Sequence, residues 1–417
     1  MRYDYQTLTP LTKNAVAPRL GFAYDPSGTG KTVIRGGVGK FYEYILAGVD
    51  GVLQQQAVIG PSQMFDTGQD TSATRGVIPT HVCLQPGNNA GLAIISPACR
   101  ALLTTTRNSV AAGGFANFEP TLDGDRRMGY LWSFSLGVQR ELLPNVGATV
   151  DYIGNRGRDQ TGLIDINEGP LGANGLITRR GVSAFDAAGS LVPASARATT
   201  FRRVLQYQTL DALNTDYNAL EFSVDKRNAN RWSGRFSYTL ARARDVNGTG
   251  PGTRYTDDLN ARADYGRASI DNRHGATFSL NTQPWRGLGA GAVYRYYSGY
   301  PINEIVGLDT NGDNDATDRP LRGVHDLTRP ILSPLDGSGR AIRNGIDGNS
   351  VSLLDLRLQY VVETATRQNV GFFLEVYNAL NTENLGNPTG NRNQALFMVP
   401  TTAGDMRTVQ LGVRYTF

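Results

Sequence analysis

Gln410-Leu411-Gly412-Val413-Arg414-Tyr415-Thr416-Phe417 closes the chain. Leu411, Val413, Tyr415 and Phe417 fall on one parity, and Gly412, Arg414 and Thr416 on the other. Period 2 is the repeat of an extended strand, and here it separates an apolar row from a polar and small one.

The same alternation recurs upstream, in pairs. Leu20, Phe22 and Tyr24 run into Asp25-Pro26-Ser27-Gly28. Tyr130, Trp132, Phe134, Leu136 and Val138 run through Leu143-Pro144-Asn145 into Val146, Ala148, Val150 and Tyr152. Leu220, Phe222 and Val224 pass Asn228-Ala229-Asn230 to Trp232, Phe236, Tyr238 and Leu240. Phe278 and Leu280 pass Gln283-Pro284-Trp285 to Leu288, Ala290, Tyr294 and Tyr296, and Leu354 to Tyr360 pass Thr364-Ala365-Thr366 to Phe372, Leu374 and Val376. Pro, Asn and Gly punctuation at these points marks turns. The pattern predicts about eleven antiparallel strands, many longer than the ~5–6 residues usual in soluble sheets, and Phe201–Leu210 is a candidate twelfth.

Connections within pairs are short, while those between pairs are long: roughly 45–126, 159–215, 245–270, 301–349 and 380–405. Short turns on one rim and long loops on the other are the plan of an outer-membrane barrel. The second strand face carries Arg19, Arg35, Asp151, Glu221, Asp225, Arg235, Arg295, Asp355, Arg357, Glu375 and Arg414, which a barrel would turn to a polar lumen. A soluble sandwich would show the same alternation. Loop asymmetry, strand length and the aromatics near strand ends (Tyr24, Tyr130, Trp132, Tyr152, Trp232, Tyr238, Trp285, Tyr294) favour the barrel, as interfacial girdles. The outward partner is then outer-membrane lipid.

Composition agrees. No run approaches 18 apolar residues, so a membrane is crossed by strands or not at all. Net charge is +4, only four of 41 basic residues are lysine, and the arginines are scattered among 37 acids, so nucleic acid is not an expected partner.

Gln410, Gly412, Tyr415 and Phe417 form a four-point pattern that resembles the signal read on outer-membrane proteins by the barrel assembly machinery. Other segments resemble the barrel of TonB-dependent receptors, the Oar-like group in particular. They are Ala17 to Pro26, Gly30 to Gly37, Tyr217-Asn218-Ala219-Leu220, Ser237-Tyr238-Thr239, Asp271 to His274, Ser298-Gly299-Tyr300-Pro301 and Glu375 to Asn381. The resemblance implies an all-β fold: residues 1–417 as the C-terminal portion of a 22-stranded transmembrane β-barrel, here about 11–12 strands, with short periplasmic turns and long extracellular loops. It further implies uptake of a bulky nutrient (siderophore, oligosaccharide or peptide) driven by the TonB complex through an N-terminal plug. Neither a plug nor a signal peptide is visible in the chain, which is expected to be a fragment. The alternatives are a passive pore, an adhesion barrel, and an outer-membrane hydrolase using His274 with a serine; a G-x-S-x-G elbow is absent.

Three local motifs remain. Gly28-Thr29-Gly30-Lys31-Thr32 resembles a P-loop, but Asp25 stands where the first glycine belongs and Val33-Ile34-Arg35 is strand-like, so a turn is expected. Asp309, Asn311, Asp313 and Asp315, with Asp318 beyond them, have the spacing of a calcium loop. Asn314 and Pro320 stand where an EF-hand requires glycine and glutamate, leaving a looser structural Ca²⁺ site or a solvated acidic turn. No other cofactor is expected. Cys83 and Cys99 are a candidate disulfide in an oxidising compartment, or two free thiols.

Overall fold

The computed structural model describes residues 15–42, 121–122, 127–165, 205–246, 255–308, 310, 316–363 and 368–417. Its strands are β1 (Arg19–Tyr24), β2 (Thr32–Tyr42), β3 (Thr121–Leu122), β4 (Tyr130–Leu143), β5 (Val146–Arg158), β6 (Thr161–Asp165), β7 (Leu205–Thr209), β8 (Thr215–Ala229), β9 (Trp232–Val246), β10 (Tyr265–Arg267), β11 (His274–Trp285), β12 (Leu288–Tyr297), β13 (Val351–Glu363), β14 (Asn369–Tyr377) and β15 (Thr408–Thr416). A short 3₁₀ helix spans Asp258–Asp264.

Eleven strands follow one antiparallel path, β1-β2-β4-β5-β8-β9-β11-β12-β13-β14-β15, with β10 added beside β9. β1 and β15 are its two ends and do not pair with each other, so the sheet is a partial barrel. Of the candidate twelfth strand at 201–210, the described part, from Leu205 on, does not join this path. Its β7 forms a separate three-stranded sheet with β3 and β6 inside the long connections, and the odd count stands.

Turn chemistry explains the hairpins. Ala229 pairs with Trp232 across Asn230 and Arg231, both at positive φ (56° and 68°), the two-residue geometry that follows strand twist. Leu143 pairs with Val146 across Pro144 and Asn145. β11 runs to Trp285 through a bulge, so its turn lies at Arg286-Gly287, past the Pro-Trp pair that reads as the break in the sequence.

Register carries the apolar parity from strand to strand across the sheet. Phe22, Gly36, Leu136, Tyr152, Leu220 and Leu240 form one cross-strand row, and Phe236, Phe278, Tyr294 and Leu354 another. This face is uncovered: Leu20 is 76% exposed, Leu411 78% and Val413 71%. A soluble protein would bury such a band, whereas lipid is its ordinary surrounding. The buried apolar cluster is small and sits among the loops, around Leu213, Val246, Tyr255 and Ala261.

The register also steps. Val409 lies level with Val376, Leu356, Ala292, Leu280, Gly234, Lys226 and Val146. A line straight across the ladder therefore starts at the loop end of β15 and finishes at the turn end of β5.

Candidate functional site

The inner face gathers the charges that the sequence places on the second parity. Arg357 lies opposite Glu375 and pairs with it at 3.1 Å. Arg295 reaches Asp355 at 3.0 Å, Arg35 reaches Asp151 at 2.9 Å, and Arg235 faces Asp225 at 3.5 Å. Arg357 and Arg414 both stand over the Phe373 ring. Each cation has an acid or an aromatic face nearby, so the wall is polar yet close to neutral, suited to a hydrated passage.

Above one rim, the long connections are joined by buried ion pairs. Arg319 pairs with Asp264 of the 3₁₀ helix, each side chain 4% exposed. Arg343 pairs with Asp245 at the top of β9. Glu304, in the connection after β12, is fully buried; it pairs with Arg392 of the connection after β14 and accepts the Leu332 and Ser333 N–H groups at 2.9 and 2.7 Å. These pairs make one body of several loops. Sequence reasoning missed them. The signal available was the strong preference for arginine over lysine, since a planar fork suits bidentate pairing.

Two titratable groups in these loops are shifted. Burial pushes His325 below the ordinary histidine value, the charges of Arg340 and Arg392 add to this, and Asp318 opposes it. The His325 Nδ1 accepts the Leu321 N–H at 3.0 Å, which requires the neutral ring. Burial alone would raise Asp336; bonds from the Ser338 hydroxyl and from the Arg340 and Ser338 N–H groups, with the charge of Arg319, outweigh it and hold the carboxyl low.

The sequence motifs resolve as follows. Gly28 to Thr32 is the β1–β2 turn: the Asp25 carboxylate accepts the Ser27 N–H at 3.0 Å and the Gly30 N–H at 2.6 Å, and β2 follows in place of a helix. His274 shares a face with Leu240, and its Nδ1 lies 2.8 Å from the Tyr238 hydroxyl. Asp318 is described and buried; its carboxylate accepts the Thr310 N–H at 2.6 Å and the Thr310 hydroxyl at 2.9 Å. Asp309, Asn311, Asp313 and Asp315 lie outside the described residues, as do Cys83 and Cys99. Among the described residues no group of three or more His, Cys, Asp or Glu side chains is placed to hold a metal. Gln410, Gly412, Tyr415 and Phe417 lie at the β15 edge, where Tyr415 and Phe417 approach each other at 6.0 Å between centroids.

Comparison with solved structures finds matches at low identity. The outer membrane transporter YddB from Escherichia coli is 10% identical, with 96% of this chain and 40% of that chain covered at a TM-score of 0.48. The siderophore receptor PirA from Acinetobacter baumannii is 12% identical, with 96% and 41% covered at 0.45. The siderophore receptor PiuA from the same organism is 11% identical, with 95% and 35% covered at 0.44. The chain thus spans about two fifths of the length of these transporters. No curated protein sequence matches it. The family model for the outer membrane beta barrel domain matches residues 3–410. With an uncovered apolar band, a charged inner wall and loops massed on one rim, the chain belongs to the outer membrane beta barrel domain family, and its place is the outer membrane.

Proposed function

We propose that the chain forms part of the barrel wall of a TonB-dependent receptor that imports a bulky nutrient, a siderophore, oligosaccharide or peptide. The observation that carries this reading is the open eleven-stranded antiparallel path with an ion-paired inner face. Eleven strands is half of the 22 found in large outer-membrane transporters, and an open edge must be completed by further strands, because unpaired backbone groups are costly in lipid. The segments resembling TonB-dependent receptors run through the same strands, from Ala17 to Asn381. Energy would reach such a barrel from the TonB complex through a plug, and insertion would be the work of the barrel assembly machinery.

The test is uptake by cells expressing the complete protein. Under this reading, uptake of its ligand is lost on deleting TonB, and the unboiled protein migrates anomalously on gels as an intact barrel. Uptake indifferent to TonB, with liposomes that swell freely in small sugars, would overturn the reading in favour of a passive pore.

A further inference from the structure

The outward face of β9 changes character above Leu240. Period 2 places Arg242 and Arg244 next on that face. Register sets Asn218 and Asp216 of β8 beside them, Arg156 of β5 beyond Asp216, and Arg267 of β10 opposite Arg244. Basic side chains therefore begin where the lipid-facing band of Leu220 and Leu240, 47% and 41% exposed, comes to an end.

The acid within this patch is already engaged. Asp216 is 3.0 Å from Arg158 and 3.4 Å from Arg156, and it also accepts the Tyr265 hydroxyl. Asn218 accepts from the Tyr152 hydroxyl at 2.8 Å and from Arg156 at 2.7 Å. Arg242 is exposed, Arg244 half-buried, and neither has a carboxylate within ion-pair distance among the described residues. Arg244 only packs over the Tyr265 ring, at 5.7 Å.

A cavity of about 450 Å³ opens here, lined by six arginines (Arg242, Arg244, Arg267, Arg273, Arg319 and Arg343), Tyr265 and two carboxylates; of these, Asp264 is paired with Arg319 and Asp336 accepts the Ser338 and Arg340 N–H groups. Arg343 is taken up by Asp245, and Arg267 by Asp271 and Asp347. Arg273 leans on Asp271 at 3.3 Å, and its buried Nε–H has no acceptor. Among the described residues, the unspent donors belong to Arg242, Arg244 and Arg273, grouped around one space.

We propose that this cavity holds the phosphate of an anionic lipid of the outer leaflet. Guanidinium forks match phosphate oxygens in geometry and charge. The site adjoins a face that meets acyl chains and stands on the rim of the long loops, which face the cell exterior in barrels of this plan. A phosphate tethered to acyl chains gains from both surfaces at once, whereas a free anion gains only from the guanidiniums.

The test uses the protein purified from outer membranes and placed in phosphatidylcholine nanodiscs doped with bisphosphorylated lipid A or its dephosphorylated form. Lipid retained per protein is read by native mass spectrometry. The intact protein should retain the phosphorylated form preferentially. Arg242→Gln with Arg244→Gln should lower that retention on the order of fivefold per guanidinium, Arg242→Lys with Arg244→Lys should keep most of it, and the inner-face control Arg235→Gln should not change it. Should the paired Gln variant fail to insert, Arg242→Gln alone, at an exposed side chain, carries the same test. Equal retention by variant and parent, equal retention of the dephosphorylated lipid, or displacement of the lipid by equimolar inorganic phosphate would overturn the proposal. Gel migration of the unboiled protein reports barrel integrity separately, so a failed lipid site and a failed barrel give different results.

Discussion

Arg35 of β2 and Asp151 of β5 form a bidentate ion pair across an entire intervening strand, over Gly137 of β4. A Cβ built on Gly137 would stand 1.8 Å from the Asp151 Oδ1. The glycine is what lets the two charges meet. Gly137→Ala should displace the carboxylate and remove the pair. Both partners are partly solvated, so the expected loss is at most about 1 kcal/mol. The signature is coupling: Asp151→Asn should add almost nothing on top of Gly137→Ala. Thermal unfolding of the inserted barrel measures it, and additive losses would show that the pair does not form.

Glu304→Ala should free the loops while leaving the strands in place. It strands Arg392, whose side chain is 7% exposed, without its carboxylate, a loss of about 3 kcal/mol. Hydrogen exchange should rise across 301–349 and 380–405 together, because the pair joins both. A rise in only one of them would contradict the joined-loop description.

Acid should loosen the same loops. The folded-state value of His325 lies below the ordinary 6.5, so the unfolded segment binds more protons as pH falls through this window. The contribution of His325 is therefore complete above 6.5 and is lost as pH drops through the lower folded value. Proteolysis within 316–350 should accelerate as pH falls below the ordinary value of 6.5. His325→Gln should flatten that dependence, and an unchanged profile in the variant would remove His325 from the account.

Cys83 and Cys99 should appear as one linked peptide in non-reduced digests of the mature protein. A bridge closing a loop of that size contributes about 3 kcal/mol in the chain-entropy model. Two freely alkylated thiols would end the pairing.

The β15 pattern should matter to assembly more than to stability. Tyr415 and Phe417 are exposed at the sheet edge, 54% and 94%, so Tyr415→Ala with Phe417→Ala leaves no cavity. Outer-membrane yield should fall several-fold while the inserted fraction melts as the parent does. Unchanged yield would show that the pattern is not read.

The strands were legible because one rule, period 2 against lipid, governs every residue of a β-strand such as Tyr130–Leu143. The turns were legible to within two or three residues, because Asn and Gly accept positive φ; the bulge after Thr282 moved the β11 turn beyond Pro284. The loops obey no period. Glu304 and Arg392 lie 88 residues apart, and nothing local to either announces the other. Phe201–Leu210 carries a strand pattern without saying which sheet it joins, and the register of β7 with β6 answers that.

The stepped row from Val409 to Val146 fixes how the strands lean. Seven lateral steps of about 4.8 Å cross the sheet while the line falls a strand's length, roughly ten residues at about 3.3 Å each. With the rims level, the two legs are nearly equal and the strands lean at roughly 45°. At that lean each strand occupies about 6.8 Å of perimeter where an upright one would take about 4.8 Å, so the eleven strands lay down about 75 Å of wall. The width available to a cargo is thus written in the register shifts between hairpins as much as in the number of strands.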